Sequence, residues 1–325
     1  MNEIDARRKI LNLFRKNEGD FVSGEEISRV LGFSRASVWK YVSKLREDGY
    51  VVDAVPRKGY RIRRTPDRML ACEIANGLQT DVIGKRAIFY YERITSTNDR
   101  AYELAEAGES EGAVIIAETQ TRGKGRLGRK WLSPVRGGIY MSLILRPDAE
   151  PDEIPAITLI AASGIIKAVK KVSSLGAKMK WPNDILLDGK KICGILTEIK
   201  AQPDRVDFVV LGIGINVNSS EKKLPHGATS LREKCGKRVN RLELARKVFE
   251  EFEKNYLRFK EEGFVSLRDE CKTFSSVLGK RVKVVEHHRD VEGVAWDIDE
   301  KGALIIKTGD DSFQRVFSGD IVMCR

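Results

Sequence analysis

The sequence predicts an α+β multidomain protein with a winged helix-turn-helix, a central mixed α/β domain and a small carboxyl-terminal β-barrel. Three observations predict it. Residues 4–64 read as three short helices and a hairpin. Residues 68–270 alternate strand-like and helical runs. From residue 279 onward only short β runs remain. The chain has 325 residues, 42% of them hydrophobic, which is enough for two or three cored domains. The expected boundaries are 1–64, 65–276 and 277–325, with Arg63-Arg64-Thr65-Pro66-Asp67 as the first linker.

In the first domain, Ile4, Ile10, Leu11, Leu13 and Phe14 have a helical period. Ser23 caps a second helix, and Glu26 three residues on completes a capping box. Gly32 allows a sharp turn, and Ser34 opens a third helix with Val38, Tyr41, Val42 and Leu45 on one face. The other face carries Arg35, Ser37, Lys40 and Lys44. Val51–Val55 and Tyr60–Ile62 form a ribbon whose tip is Arg57-Lys58. Three helices, a tight turn and a wing describe a DNA reader. Short polar and basic side chains on the third helix reach base edges and phosphates in a major groove. The candidate DNA-binding residues are therefore Ser23, Ser34, Arg35, Ala36, Ser37, Lys40, Lys44, Arg57 and Lys58.

In the centre, strand-like runs are 87–91, 113–118, 139–145, 178–181, 192–199 and 208–215. Helical runs are about 98–107, 152–173 and 241–261. In the last domain the runs are 281–285, 291–298, 303–307 and 313–317, with turns at Lys301-Gly302 and Asp310-Asp311.

Charge is unevenly placed. The net charge is +11, and residues 1–64 hold 15 Lys/Arg against 9 Asp/Glu. That bias suits nucleic acid. The five dispersed cysteines, Cys72, Cys193, Cys235, Cys271 and Cys324, include no CxxC pair, so no zinc or redox motif is expected and a reducing cytoplasm is. His226, His287 and His288 read as surface residues. No signal peptide or membrane span is expected.

The most informative segment is Thr121-Arg122-Gly123-Lys124-Gly125-Arg126-Leu127-Gly128-Arg129-Lys130-Trp131, with five cations and no acid. Its glycines let backbone N–H groups approach an anion. Residues 123–128 also fit GxGxxG, but a dinucleotide site needs a helix next. Here Pro134, Gly137 and Gly138 precede a strand. A kinase would need HRDxxxxN and DFG. His288-Arg289-Asp290 occurs without either partner motif, because Ala295 stands at the Asn position.

This loop resembles the adenylate-binding loop of biotin–protein ligases, GRGRxGRxW or GKGRxGRxW. Four more segments resemble that family in order and spacing: Ser96-Thr97-Asn98, Lys180-Trp181-Pro182-Asn183-Asp184, Lys191 to Leu196, and Gly212-Ile213-Gly214-Ile215-Asn216. With the winged helix, the resemblance covers essentially the whole chain and is to the bifunctional members, which are also biotin operon repressors. It implies a class II synthetase/biotin ligase-like central fold and an SH3-like terminal barrel. It also implies two half-reactions, in which biotin and Mg-ATP give biotinyl-5′-AMP and a lysine of a biotin carboxyl carrier protein then takes the biotin.

Carried over by motif, Ser96, Thr97 and Asn98 line the ureido end with Gln120 beside them. Gly123, Lys124, Gly125, Arg126 and Trp131 belong to the loop over the carboxylate and adenylate. Lys191 and Arg126 are the catalytic cations. Gly194, Ile195, Gly212 and Gly214 make the floor against the biotin rings, and Asn216 is a further binding residue. Lys180 faces phosphate, and Asn183 and Asp184 are candidates for Mg2+. Lys124 replaces the Arg of some members, keeping charge but losing bidentate geometry. Trp131 and Trp181 read first as packing residues and Cys193 as a small core residue. Operator DNA and a homodimer strengthened by biotinyl-AMP are the further expected partners. Two alternatives stay open: a transcription factor using a ligase-like domain only as a sensor, and a lipoate-specific acyltransferase.

Overall fold

The computed structural model describes residues 3–17, 19–32, 34–285, 290–309 and 312–323. The side chains of residues 3–5 and of Arg35 lie outside the described residues. So do His287, His288, the Asp310-Asp311 turn and Cys324. Two compact units result, Met1–Leu78 and Gln79–Arg325.

The first unit contains α1 (Glu3–Lys16), α2 (Gly24–Leu31), α3 (Arg35–Glu47), β1 (Val51–Val55), β2 (Gly59–Arg64) and α4 (Ala71–Ala75). Ser23 Oγ accepts from Glu26 N–H and Ser34 Oγ from Ser37 N–H, so both serines spend their oxygens as helix caps. Gly32 sits at φ 69°, the left-handed turn that separates α2 from α3. Ile10, Leu11, Phe14, Ile27, Leu31, Val38, Val42 and Leu45 are buried and close the three-helix core, while Tyr41 is only half-buried. The wing is an antiparallel β1–β2 pair. It docks through Tyr60, which exchanges backbone hydrogen bonds with Val22 at 2.8 and 2.9 Å. Gly59 permits this approach: a Cβ there would lie 2.1 Å from the Val22 carbonyl oxygen. The compact unit also takes in residues 65–78, with α4 packed on α1.

The second unit is built on β3 (Ile88–Tyr91), α5 (Thr97–Glu106), β4 (Val114–Ala117), β5 (Gly138–Leu145), α6 (Ile154–Ser173), β6 (Lys178–Lys180), β7 (Asp184–Leu187), β8 (Lys190–Ala201) and β9 (Val206–Asn216). There follow α7 (Leu231–Cys235), α8 (Arg241–Glu262) and α9 (Val265–Phe274). The seven strands form one sheet in the order β3-β4-β5-β9-β8-β7-β6. Only β3–β4 is parallel. Every residue of β5 is buried, and α6 and α8 pack on each other to cover the sheet. The short strand β7, α4, α7 and α9 carried no clear periodic signal in the sequence.

A buried ion pair ties α8 to the end of β4. Arg241 Nη1 lies 2.9 Å from Glu118 Oε2 and donates to the Gly138 carbonyl at 3.0 Å, with both side chains at 0% exposure. Breaking such a pair leaves an unmatched charge in the core. Arg241→Ala is expected to lower stability by about 3–5 kcal/mol. A urea midpoint equal to that of the wild type would refute it.

The carboxyl-terminal strands are β10 (Arg281–Val285), β11 (Asp290–Ile298), β12 (Leu304–Lys307), β13 (Phe313–Val316) and β14 (Asp320–Met323). They make a five-stranded antiparallel sheet in the order β13-β12-β11-β10-β14. Among the described residues β13 and β14 do not pair, so the expected barrel is not closed by hydrogen bonds. Among the described residues no helix is long and apolar enough to cross a membrane.

Candidate functional site

Adjacent strands β8 and β9 make the floor of a cavity of about 450 Å³. Gly194 pairs with Gly214 and Leu196 with Gly212, so the centre of the floor has almost no side chains. Gly212, Gly214 and Asn216 alternate along β9 and share one face. The indole of Trp131 rests there: a Cβ on Gly214 would meet Trp131 Cε2 at 2.4 Å, and one on Gly194 would meet Cζ3 at 2.9 Å. Trp131 is therefore part of the cavity wall rather than remote packing. Its buried indole N–H finds no acceptor among the described residues. Trp181, by contrast, is buried away from the cavity and donates to the Gly302 carbonyl at 3.1 Å.

One end of the cavity is polar. Ser96 caps α5, accepting from Asp99 N–H, and also lines the cavity. Gln120 Oε1 accepts from Thr97 N–H at 2.8 Å and from Thr97 Oγ1 at 3.1 Å. Asn98 Nδ2 donates to Glu198 Oε2 at 2.7 Å, while Ser142 Oγ lies 2.6 Å from Asn98 Oδ1. Each short polar side chain is thus pinned by another, which orients them before any ligand arrives. Glu198 and Ser142 escaped the sequence reading. Ser142 was hidden inside an apolar strand, where an inward-facing hydroxyl was the one available signal.

The loop 121–131 folds as an irregular hairpin. Trp131 N–H donates to the Gly123 carbonyl at 2.8 Å and Gly125 N–H to the Arg129 carbonyl at 2.7 Å. Arg126 Nη1 donates to Asn183 Oδ1 and to the Gly319 carbonyl, each at 3.1 Å. Arg129 Nη2 reaches both oxygens of Asp320 at 2.8 and 2.6 Å. Burial lowers the Arg126 pKa, opposed by the Asp320 carboxylate. Leu127, at φ 54°, is a non-glycine residue in the left-handed region. Lys124 pairs with Asp99 and, at 3.3 Å, with Glu198, and the Asp99 hydrogen bond raises its pKa. The structure thus places Lys124 on carboxylates rather than at the cavity centre. Gly123 lies beneath the loop and does not line the cavity, since its Cβ would meet the Trp131 carbonyl oxygen at 2.6 Å.

Opposite the loop, Lys191 Nζ stands 2.6 Å from Asp184 Oδ1 and 5.6 Å from the Trp131 ring centre. Asn183 Nδ2 donates to the Ile195 carbonyl at 2.9 Å. Gly125, Ile195 and Asn216 complete the expected set around the cavity. Pro225 to Ala228, with exposed His226, add a rim the sequence did not announce, as do Met141 and Asp320. Lys180 is absent from this cavity and opens onto a neighbouring one. Cys193 is fully buried, and burial pushes its thiol pKa up, so it is no nucleophile at neutral pH.

In the first unit, Ala36 and Lys40 are exposed on α3, and Ser37 and Lys44 are half-buried. Arg57 and Lys58 stand exposed at the tip of the wing. Trp39, 62% exposed, lies on the same helix and was not anticipated.

Comparison with known proteins gives three family matches along the chain. Residues 90–216 match the Biotin/lipoate A/B protein ligase family, 6–61 an HTH domain and 277–323 the Biotin protein ligase C terminal domain. The bifunctional ligase/repressor BirA of Bacillus subtilis is 37% identical over 97% of this chain and 98% of its own. The BirA of Escherichia coli is 30% identical over 89% of each. Among solved structures, the biotin protein ligase of Aquifex aeolicus in complex with biotin and ATP is similar at a TM-score of 0.63 and 31% identity, covering 74% of this chain and 99% of that one.

Proposed function

The chain belongs to the biotin/lipoate A/B protein ligase family, and from that premise we propose an ATP-dependent biotin–protein ligase that is also a DNA-binding repressor of biotin genes. It joins biotin and ATP into biotinyl-5′-AMP and passes biotin to a lysine of a biotin carboxyl carrier protein. The observation that carries this reading is the side-chain-free floor of Gly194, Gly212 and Gly214 ending at Lys191, beneath a cationic loop. The floor already carries one flat ring, the Trp131 indole, against which a second ring system can lie, and the pinned Thr97, Asn98 and Gln120 suit a ureido group that both donates and accepts.

Joining a carboxylate to an α-phosphate brings two anions together. Lys191 and Arg126 offset that repulsion where charge develops. Holding both reactants on one floor supplies much of the remaining entropic advantage. No side-chain nucleophile is required, and the buried Cys193 supplies none.

Mg2+ accompanies the nucleotide in this reading. Asp184 fits as a single carboxylate ligand once Lys191 turns to substrate, a usual arrangement for an ion held mainly by phosphates and water. Asn183 does not fit, because its carbonyl oxygen accepts from Arg126 and its amide donates to Ile195. Among the described residues no cluster of three His, Cys, Asp or Glu could hold a metal alone.

The three-part division at 1–64, 65–276 and 277–325, with an SH3-like last module, is part of the same reading. So are a cytoplasmic site, suited to the free Cys72, Cys193, Cys235 and Cys271, and a homodimer favoured by bound biotinyl-AMP. Incubation with labelled biotin, ATP and a carrier domain tests the enzyme: label on the carrier is expected, and none would overturn the reading. Lipoate is expected not to compete.

On the DNA side, Lys40→Ala should weaken operator binding and reduce the slope of log affinity against log salt by about one, the signature of a lost phosphate contact. Anisotropy titrations at several salt concentrations measure both. An unchanged slope would remove Lys40 from the interface.

A further inference from the structure

The exposed face of α3 is apolar at its centre. Helical spacing puts Ala36, Trp39, Lys40 and Ser43 on one side, opposite the buried Val38, Val42 and Leu45. Trp39 is 62% exposed, and Ala36 and Lys40 beside it are exposed too. A single exposed aromatic residue is ordinary on a protein surface. This one stands in the second turn of the helix that a helix-turn-helix lays in the major groove, where side chains meet base edges.

The hydrogen-bonding side chains around it are largely engaged. Ser34 Oγ accepts from Ser37 N–H at 3.3 Å and lies 3.1 Å from Ser37 Oγ, so the two hydroxyls already face each other. Ser23 Oγ accepts from Glu26 N–H at 3.0 Å at the head of α2. Arg46 donates to the Val52 carbonyl at 2.8 and 3.2 Å, which ties it to the wing. Lys40 carries a compact charge on a flexible stem, suited to a phosphate. Ser43 is half-buried, and a hydroxyl serves any base edge. Among the described side chains of this face, Ala36 and Trp39 are left as the ones whose chemistry separates one base from another.

The one apolar feature of a base edge in the major groove is the 5-methyl group of thymine. We infer that Trp39 is a specificity-determining residue that reads a thymine methyl, with the Ala36 methyl beside it. The inference rests on the DNA-binding half of the proposed function. A thymine methyl covered by the indole leaves water at a gain. Cytosine at the same place would turn an amino donor onto an apolar surface and lose its water partner without replacement. Lys40, the next residue, holds the phosphate backbone and so fixes the register. Charge then supplies affinity, and the ring supplies discrimination. A second copy of the chain is the rival occupant of the ring.

The test uses the full-length protein with biotin and ATP. A duplex enriched from a random-sequence pool by the wild type is compared with copies in which each thymine in turn becomes uracil, which removes only the methyl group. At one thymine or more, wild-type affinity should fall about fourfold, the worth of one buried methyl. Trp39→Ala should bind the thymine duplex at least about tenfold more weakly and lose the response to uracil at that position. The ring is exposed, so the core is untouched. The slope of log affinity against log salt should equal that of the wild type, because no charge is removed. Absence of any uracil effect in the wild type, or the same effect in Trp39→Ala, would overturn the inference. So would an equal weakening of every duplex, which would place the ring on a second copy of the chain. A wild type that enriches no sequence would instead remove the DNA-binding half of the proposed function.

Discussion

Lys191→Met is expected to cut biotinyl-5′-AMP formation by at least about a hundredfold in kcat, the scale set by removing one preorganised donor from developing charge. The methionine keeps the aliphatic stem beside Trp131 and removes only the ammonium. Lys191 is half-buried and its backbone is held independently, with its N–H on the Gly227 carbonyl at 2.8 Å. The fold should therefore survive. The lost ion pair with Asp184 involves two partly hydrated groups, at 33% and 24% side-chain exposure, so the stability change should be about 1 kcal/mol or less. Biotin-dependent pyrophosphate release and a thermal melt, run side by side, separate the two effects. Full activity would show that Lys191 is only the salt-bridge partner of Asp184. A collapsed melt would show that the pair is structural.

The physics of each feature explains how much of the site could be read in advance. The loop 121–131 announces itself by composition, since glycines and cations are needed whatever packs around them. The glycines of β8 and β9 were legible for the same reason: residues 194, 212 and 214 must stay small. Asp320 was not legible. It reaches Arg129 only because β14 pairs with β10, a contact between residues distant in sequence and short in pattern. Glu198 reads as an ordinary strand residue until its register with β9 sets it beside Asn98. Lys180 illustrates the opposite case. Its motif pointed to phosphate, but only the sheet edge shows that it opens onto the neighbouring cavity. The capping role of Ser23 and Ser34 was legible as local chemistry, whereas the exposure of Trp39 depends on how α3 packs against α2 and β1.

The floor itself gives the other large expected effect. Gly214→Val should abolish tight biotin binding, with a loss of at least about a hundredfold in affinity, or some 3 kcal/mol. Valine is a favourable strand residue, so β9 should keep its pairing. The damage is steric and local. A Cβ at this position lies 2.4 Å from Trp131 Cε2, and the two further methyls of valine occupy the surface between β8 and β9. Trp131 must leave, and with it the anchor that ends the cationic loop. Gly212→Ala makes an instructive companion. Its Cβ would meet Asn98 Oδ1 at 2.1 Å, so it displaces the carboxamide held by Ser142 and Glu198. The first substitution removes the ring surface and the second disturbs the polar end. If both ends hold the same molecule, calorimetric titration with biotin should show both variants weakened. The operator affinity of the ligand-free proteins should be unchanged, because each residue lies in the second unit. Wild-type biotin affinity in Gly214→Val would place the ligand elsewhere. An effect of Gly214→Val without one of Gly212→Ala would mean that Asn98 serves the fold rather than the ureido group.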